Sequence, residues 1–423
     1  MSAVRQLLYI GHVWPEPNSS AAGRRTLALL KLLRSQGWQI SFACAAAPSS
    51  QRYPLAELGI GELPIRLNCD SFDSVLASLQ PQMVVFDRFL SEEQYSWRVA
   101  NVCPQALRVL DTQDLHSLRE ARHQALKRGD EVMRPAPGDL NSELAQRELA
   151  AIWRSDLSLI ISEAEMALLQ NHYGVSAALL HYYPLLSDGC QPNQADFDDR
   201  KHCLCIGNFR HAPNWDALRY LRSELWPEIR RRLPGVQCHI YGAYPPPKAQ
   251  QLHSEKLGFL LKGWAPDAGE VMRRARLCLA PLRFGAGQKG KLLEAMEYGT
   301  PSVTTAVGAE AMVGQGVWPG MLADTADAYI EAVVALYSDR QRWHQAVAAG
   351  EALLPRFATG PHNAALAARL TQLSDALEVQ RQGNFIGAML RHHSLRSHQY
   401  MSQWIAAKHR LAAQLESDTE GNR

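Results

Sequence analysis

Short apolar runs alternating with helical stretches, in two successive series, constrain the fold of this chain more than any other feature. The first series is "LLYIG" (7–11), "QISFACA" (39–45), "QMVVFD" (82–87), "ALRVLD" (106–111) and "LSLIIS" (157–162). Between the runs lie "GRRTLALLKLLRSQG", "QDLHSLREARHQALKRG" and "SELAQRELAAIWR", which read as helices; Leu27, Leu30 and Leu33 share one face of the first. Strands that are apolar throughout and alternate with helices predict a parallel sheet covered on both faces. From 184 the pattern breaks into "PLLSDGCQPNQADFDDRKH", which has no periodicity and reads as a linker. A second series then begins: "HCLCIG" (202–207), "VQCHIYG" (236–242), "GFLLKGW" (258–264), "RLCLAPL" (276–282) and "PSVTTA" (301–306). Its helix "NWDALRYLRSELWPEIRRRL" repeats Leu218, Leu221, Leu225 and Ile229 at spacings of three and four. Arg230 to Arg232 end that helix, where cations complement the carbonyl end of its dipole. The expected architecture is α/β, with two Rossmann-like doubly wound domains facing across a cleft. Their bounds are 1–188, a linker 189–201 and 202–375, with a helical extension 376–423.

Composition narrows the class. At 423 residues the chain exceeds one ordinary core, and 46% hydrophobic against 20% charged residues describes a soluble globular protein. The net charge of +2 gives no global pull toward nucleic acid or an anionic membrane, so any anion site must be local. Eight cysteines occur without CxxC spacing, mostly inside apolar runs, and read as buried thiols of a reduced compartment. The apolar run at the N-terminus is too short for a signal-peptide core, and no uncharged run is long enough to span a bilayer. A cytoplasmic protein, at most peripheral to a membrane, is expected.

The chemistry points to "FGAGQKGKLLEAMEYGTPSVTT" (284–305). It follows a strand, opens a helix expected over 289–298, and stops at Gly299 and Pro301. Gly285, Gly287 and Gly290 would expose backbone N–H groups at the positive helix end, and Lys289 and Lys291 add full charges. Together they make a cradle for a diphosphate. Leu292, Leu293, Ala295, Met296 and Gly299 fall on one helical arc with Glu294 opposite its centre, so Glu294 faces either solvent or the cleft. In the cleft its carboxylate would accept hydrogen bonds from a ribose diol. No P-loop lysine motif, G-x-S-x-G or clustered Asp-x-Asp is visible; Asp196, Asp198 and Asp199 fall in the linker. No catalytic metal and no cofactor is expected.

The stretch "GAGQKGKLLEAMEYGTPSVTTAVGAEAM" resembles the donor-binding signature of the retaining glycosyltransferase family 4, which has the GT-B fold. Its pattern is closest to a subgroup with a glycine-rich donor loop, like exopolysaccharide sugar transferases. "CIGNFRHAPNWDALRYL" (205–221), "IYGAYPPP" and "LKGWAPD" resemble further parts of the same subgroup's second domain, and "WPEPNSSAAGRRTLALLKLLRSQGWQISFACAA" its first loop and helix. The resemblance implies retaining, metal-independent transfer of a sugar from a nucleoside-diphosphate sugar to an acceptor hydroxyl. It implies that Gly23, Asn208, Arg210, Gly285, Gly287, Gln288, Lys289 and Lys291 surround the phosphates or sugar. Trp264 would lie at the base and Glu294 at the ribose. Two positions depart from the family. Ala286 stands where a glutamate is common, and Asp111 replaces the usual first-domain histidine. Asp111 and Asp114 would then orient the acceptor or contact the donor sugar, with His116 as a polar contact. Asp114 would equally serve as a cap of the following helix, with Arg119 nearby. The competing class is a non-catalytic nucleotide-sugar-binding or assembly protein.

At the C-terminus, "NAALAARLTQLSDALEV" is expected to cross back to the first domain. Beyond it, Met401, Trp404, Ile405, Leu411 and Leu415 lie within an arc of about 120°. That stripe is expected to pack on its own domain, with a membrane or subunit contact as the alternative.

Overall fold

The computed structural model describes residues 5–192 and 195–421. Its first sheet has seven strands: β1 (Arg5–Gly11), β2 (Trp38–Cys44), β3 (Gly61–Pro64), β4 (Met83–Asp87), β5 (Leu107–Asp111), β6 (Leu157–Ile160) and β7 (Leu180–Tyr182). They run in the order β3-β2-β1-β4-β5-β6-β7, and every pairing is parallel. Leu7 of β1 sits opposite Ile40 on one side and Met83 on the other. Each face of this sheet carries its own core: Leu8, Ile10, Val84, Phe86 and Leu110 on one, Leu7, Tyr9, Val85, Leu107 and Val109 on the other. Residues of opposite parity along the same strands therefore fill two separate cores, which is why the runs are apolar throughout.

The second sheet has six strands: β8 (His202–Ile206), β9 (Cys238–Tyr241), β10 (Phe259–Gly263), β11 (Ala275–Ala280), β12 (Ser302–Thr304) and β13 (Gly320–Leu322). Their order is β10-β9-β8-β11-β12-β13, again all parallel. In both sheets the order reverses direction beside the first strand, at β1/β4 and β8/β11. Such a switch point leaves a crevice at the carboxyl ends of the strands.

The ten expected strands are present. β3, β7 and β13 add to them; each is an edge strand of three or four residues, too short to show a period. The long helix expected over 214–233 begins at Ala212 and is broken into Ala212–Tyr220, one π turn at Leu221–Leu225, and Trp226–Arg232. Pro227 is the cause: it lacks the N–H that a continuous helix needs there, and the wider turn takes up the defect.

The chain passes between the domains twice, side by side. Ser187 N donates to Phe357 O at 2.8 Å, and Thr359 N donates to Ser187 O at 3.2 Å. Helix Thr359–Asp375 then buries Leu366, Leu370 and Leu373 in the first domain's core. The second domain thus ends near Ala358, and the bound expected at 375 moves back by one helix. Asp196 and Asp198 pair with Arg340 at the surface; Asn193 and Gln194, in the expected linker, lie outside the described residues. The final helix, Phe385–Gly421, lies on helices Arg88–Val102 and Glu143–Arg154 through Leu395, Ser402 and Ala406. Met401, Trp404, Leu411 and Leu415 point away from it and are more than half exposed, with Ile405 half-buried at their edge, so most of the stripe does not pack on its own domain. Among the described residues no helix is long and apolar enough to cross a membrane.

Candidate active site

On the second-domain side, the loop after β11 leads into helix Gly290–Glu297. Gly287 has φ +63°, and a Cβ there would lie 2.9 Å from Asp114 Cβ of the opposite domain. A Cβ on Gly290 would lie 2.6 Å from Ala21 Cβ, the first residue of helix Ala21–Ser35. The missing side chains therefore let two helix N-termini, one from each domain, meet across the crevice, and both present the positive end of a helix dipole. Ser20 caps the first of them by accepting from Gly23 N at 3.0 Å, while Gly23 itself packs on the backbone of Glu16.

The lysines hold this loop in shape. Lys289 Nζ donates to Ala286 O at 3.1 Å and Gly287 O at 2.5 Å. Burial, reinforced by Arg122 and opposed by Glu310, Glu165 and Asp114, pushes its pKa down to about 8. Lys291 Nζ donates to Asn214 Oδ1 at 2.8 Å, and Asn214 Nδ2 donates to Asn208 O at 3.0 Å. Lys291 thereby braces the "GNFRH" loop, and burial lowers its pKa as well. Asn208 Oδ1 accepts from Arg210 N at 2.9 Å, and the Arg210 guanidinium stacks 3.7 Å from the centre of the Tyr244 ring. Gln288 clamps the loop to its surroundings. Its Oε1 accepts from Leu185 N at 2.9 Å, and its Nε2 donates to Tyr182 OH and Ala311 O, both at 3.2 Å.

On the first-domain side, Asp114 faces the glycine loop. Burial works to raise its pKa, but Arg119, His116 and His211 pull it well below the ordinary carboxylate range. Arg119 pairs with it directly. His211 belongs to the second domain, so groups from both domains surround the carboxylate, and Arg119 is the one of the three that stays charged at neutral pH. The imidazole of His116 is pushed down to about 3, and that of His211 to about 4, in each case chiefly by burial.

Asp114 does not cap the helix that follows it. That helix, His116–Arg128, is held by two glutamates from elsewhere. Glu148 accepts from His116 N and Ser117 N at 2.9 Å each, and Glu165 accepts from Leu115 N at 3.0 Å. Both are fully enclosed, and burial pushes their pKa values up to about 7 and about 8. Neither belongs to a sequence motif, although a signal exists. Glu148 shares the apolar arc of Ala145, Ala151 and Ile152, and Glu165 lies one turn from buried Leu169.

Asp111, expected to touch acceptor or sugar, is sealed beneath the cleft. Its Oδ1 accepts from Arg25 Nε at 2.8 Å, its Oδ2 accepts from Gln113 Nε2 at 3.0 Å, and its side chain has no exposure. Gln113 Nε2 also donates to Asp87 Oδ1 at 3.1 Å, tying the ends of β4 and β5 together. Arg25 in turn donates to Tyr183 O and Pro184 O, where the chain leaves the first domain. Asp111 therefore positions the cleft floor and does not reach its contents.

Further contacts close the crevice. Glu294 faces the cleft and pairs with Arg24 at 3.2 Å, and Arg24 also reaches Glu297 at 2.6 Å. Burial raises the Glu294 pKa against the pull of Arg24. Arg122 donates to Gly285 O at 2.8 Å and binds Glu310 through both of its terminal nitrogens. His123 stacks on Phe284 with ring centres 4.3 Å apart. At the rim, Trp264 Nε1 donates to Asn18 O at 3.1 Å, and Tyr244 OH donates to Glu16 Oε1 at 2.6 Å. Two domains, each with its sheet's carboxyl edge turned toward the other and a glycine-rich loop between them, define a known architecture.

The fold is GT-B. Solved GT-B structures similar to this chain include a sucrose-phosphate synthase from Thermosynechococcus elongatus, 15% identical with TM-score 0.61, covering 88% of this chain and 100% of that one. HepE of Anabaena, in complex with UDP and glucose, is 13% identical with TM-score 0.64, over 86% and 99% of the two chains. A glycosyltransferase from Rickettsia africae is 10% identical with TM-score 0.60, over 90% and 98%. Residues 200–339 match the family model described as Glycosyl transferases group 1. That segment is the part of the GT-B chain that carries Asn208, Arg210, Trp264 and the whole glycine loop. No curated protein matches the chain in sequence.

Proposed function

We propose that this GT-B protein transfers a sugar from a nucleoside-diphosphate sugar to an acceptor hydroxyl, with retention at the anomeric carbon and without a metal ion. The observation that carries the reading is the meeting of two helix N-termini at Gly290 and Ala21, with Lys289 and Arg24 on those two helix ends. The family model over residues 200–339 and the UDP complex of HepE support the same donor class.

As the bond to the diphosphate breaks, negative charge grows on the leaving oxygens. Amides at a helix end and an ammonium held beforehand on its own loop stabilise that charge with little reorganisation. Lys289, once donor phosphate competes for it, has a short path from the carbonyls of Ala286 and Gly287. Glu294 exchanges its Arg24 contact for the ribose hydroxyls, and Trp264 flanks the base. Asp114, kept ionised chiefly by Arg119, orients the acceptor or stabilises the sugar as it becomes oxocarbenium-like. Closure of the domains excludes water, so that the acceptor captures the sugar.

The competing reading, binding without turnover, draws on Ala286, which supplies no carboxylate, and on the sealed position of Asp111. The test is a thermal-shift screen of nucleoside diphosphates and their sugars, followed by prolonged incubation of the stabilising donor. A bound donor at 100 times its dissociation constant adds about 2.7 kcal/mol. Slow donor hydrolysis with chelator present, and a product of unchanged anomeric configuration by NMR, is the expected result. Stabilisation with no turnover across an acceptor panel would favour the binding protein, and absence of any stabilisation would defeat both readings.

A further inference from the structure

The outer face of the final helix has no counterpart in the cleft chemistry. Ile386, Met389, Tyr400, Trp404 and Leu411 fall within an arc of about 60° at 100° per residue. All are substantially exposed, Tyr400 at 63% and Trp404 at 61%. The stripe runs along about 37 Å of helix at 1.5 Å per residue. It lies opposite Leu395, Ser402 and Ala406, which fix the helix to the first domain. His393 interrupts it between Met389 and Tyr400, leaving an apolar pair at the start of the helix and the denser cluster Tyr400, Trp404 and Leu411 beyond; exposed apolar patches of this kind mark interaction sites.

Charge decides between occupants. From Phe385 to the residue before Glu416 the helix carries Arg391, Arg396, Lys408 and Arg410 and no Asp or Glu. Arg391 and Arg410 are turned back onto the protein, donating to Arg154 O and Asp70. Arg396 and Lys408 flank the stripe, with Lys408 Nζ 4.5 Å from the centre of the Trp404 ring. Glu416, Asp418 and Glu420 follow only beyond Leu411, so a second copy seated on the stripe itself would add cations to the span from Ile386 to Leu411 and no carboxylate within it. A bilayer with anionic headgroups matches both parts of the pattern, because the apolar stripe enters the acyl boundary while the flanking cations stay at headgroup level. Tyr and Trp are suited to that boundary, having an apolar body and a polar tip.

We propose that the Phe385–Gly421 helix docks the protein on an anionic membrane surface through Ile386, Met389, Tyr400, Trp404 and Leu411, with Arg396 and Lys408 at the headgroups. The docking does not depend on the sugar-transfer reading. The test is flotation of the full-length protein with phosphatidylcholine vesicles that contain or lack phosphatidylglycerol, at low and high salt, alongside sedimentation velocity without lipid. The expected result is binding to the anionic vesicles, weakened by salt and by omission of phosphatidylglycerol. The double variant Trp404→Glu/Leu411→Glu should lower that binding roughly tenfold or more, and Arg396→Ala/Lys408→Ala should weaken it with a shallower salt dependence. Both variants alter exposed side chains and should keep the parent melting temperature. Absence of wild-type binding to anionic vesicles would overturn the proposal. So would binding that both variants leave unchanged, or a dimer that the Trp404→Glu/Leu411→Glu variant dissociates.

Discussion

Buried at the foot of the cleft, Glu165 keeps its proton at neutral pH, where an ordinary glutamate is ionised. Its pKa of about 8 has a sign that can be checked. The folded state holds the proton more tightly than the unfolded chain does. The group's favourable contribution is therefore complete below the unfolded pKa near 4.5 and is lost as pH rises toward 8. Glu165→Gln keeps an acceptor for Leu115 N and removes the titration. The variant's melting temperature should exceed the parent's by more at about pH 9 than at about pH 5; an equal difference at both would remove Glu165 from the linkage. Lys289 has the complementary behaviour. Its pKa of about 8 means that the ammonium is lost over roughly one pH unit on either side, so turnover should fall over that interval. Lys289→Arg, which stays charged, should flatten the alkaline limb. Lys289→Ala should lose roughly 100-fold or more in turnover, the cost of one transition-state donor. Near-parent turnover with a normal melt would take Lys289 out of the mechanism.

At the scale of single elements, the glycine loop is the most exacting part of the chain. Gly287→Ala would meet two obstacles, a left-handed φ and a Cβ 2.9 Å from Asp114. The backbone penalty alone is about 1–2 kcal/mol. A drop in melting temperature together with weaker donor stabilisation is expected, and a variant indistinguishable from the parent would show that the loop yields easily. Elements are legible in the sequence in proportion to how much of their surface is covered. The interior strands announce themselves because both faces are buried, and the edge strand β10 by its five-residue length, whereas β3, β7 and β13 are edge strands of three or four residues. The orientation of Glu294 follows from helical geometry, and the anionic character of the ligand from glycines followed by lysines. The partners of those residues are not legible. Arg24 meets Glu294 across 270 residues of sequence, and Arg122 meets Glu310 across 188. No local pattern distinguishes such arginines from those on a solvated helix. Asp111 misleads for a related reason: a strand-end aspartate reads as reactive until the arginine that seals it is seen.

Across the whole molecule, polar pairs hold the two domains in a closed arrangement. Arg122 and Glu310 are both largely buried, and removing one partner of such a pair costs about 3–5 kcal/mol because the other charge is left without compensation. Arg122→Ala should therefore melt earlier than the parent and show a larger radius of gyration in solution scattering; an unchanged radius would mean that the remaining contacts suffice for closure. The paired passages at Ser187 and Ala358 carry a different consequence. Since helix Thr359–Asp375 is inserted into the first domain, the two halves of the polypeptide are threaded through one another and not merely strung in series. A protease cut between Gly189 and Gln191 should give two fragments on a denaturing gel that still travel as one particle under native conditions. The larger fragment could leave only by drawing Leu366, Leu370 and Leu373 out into water.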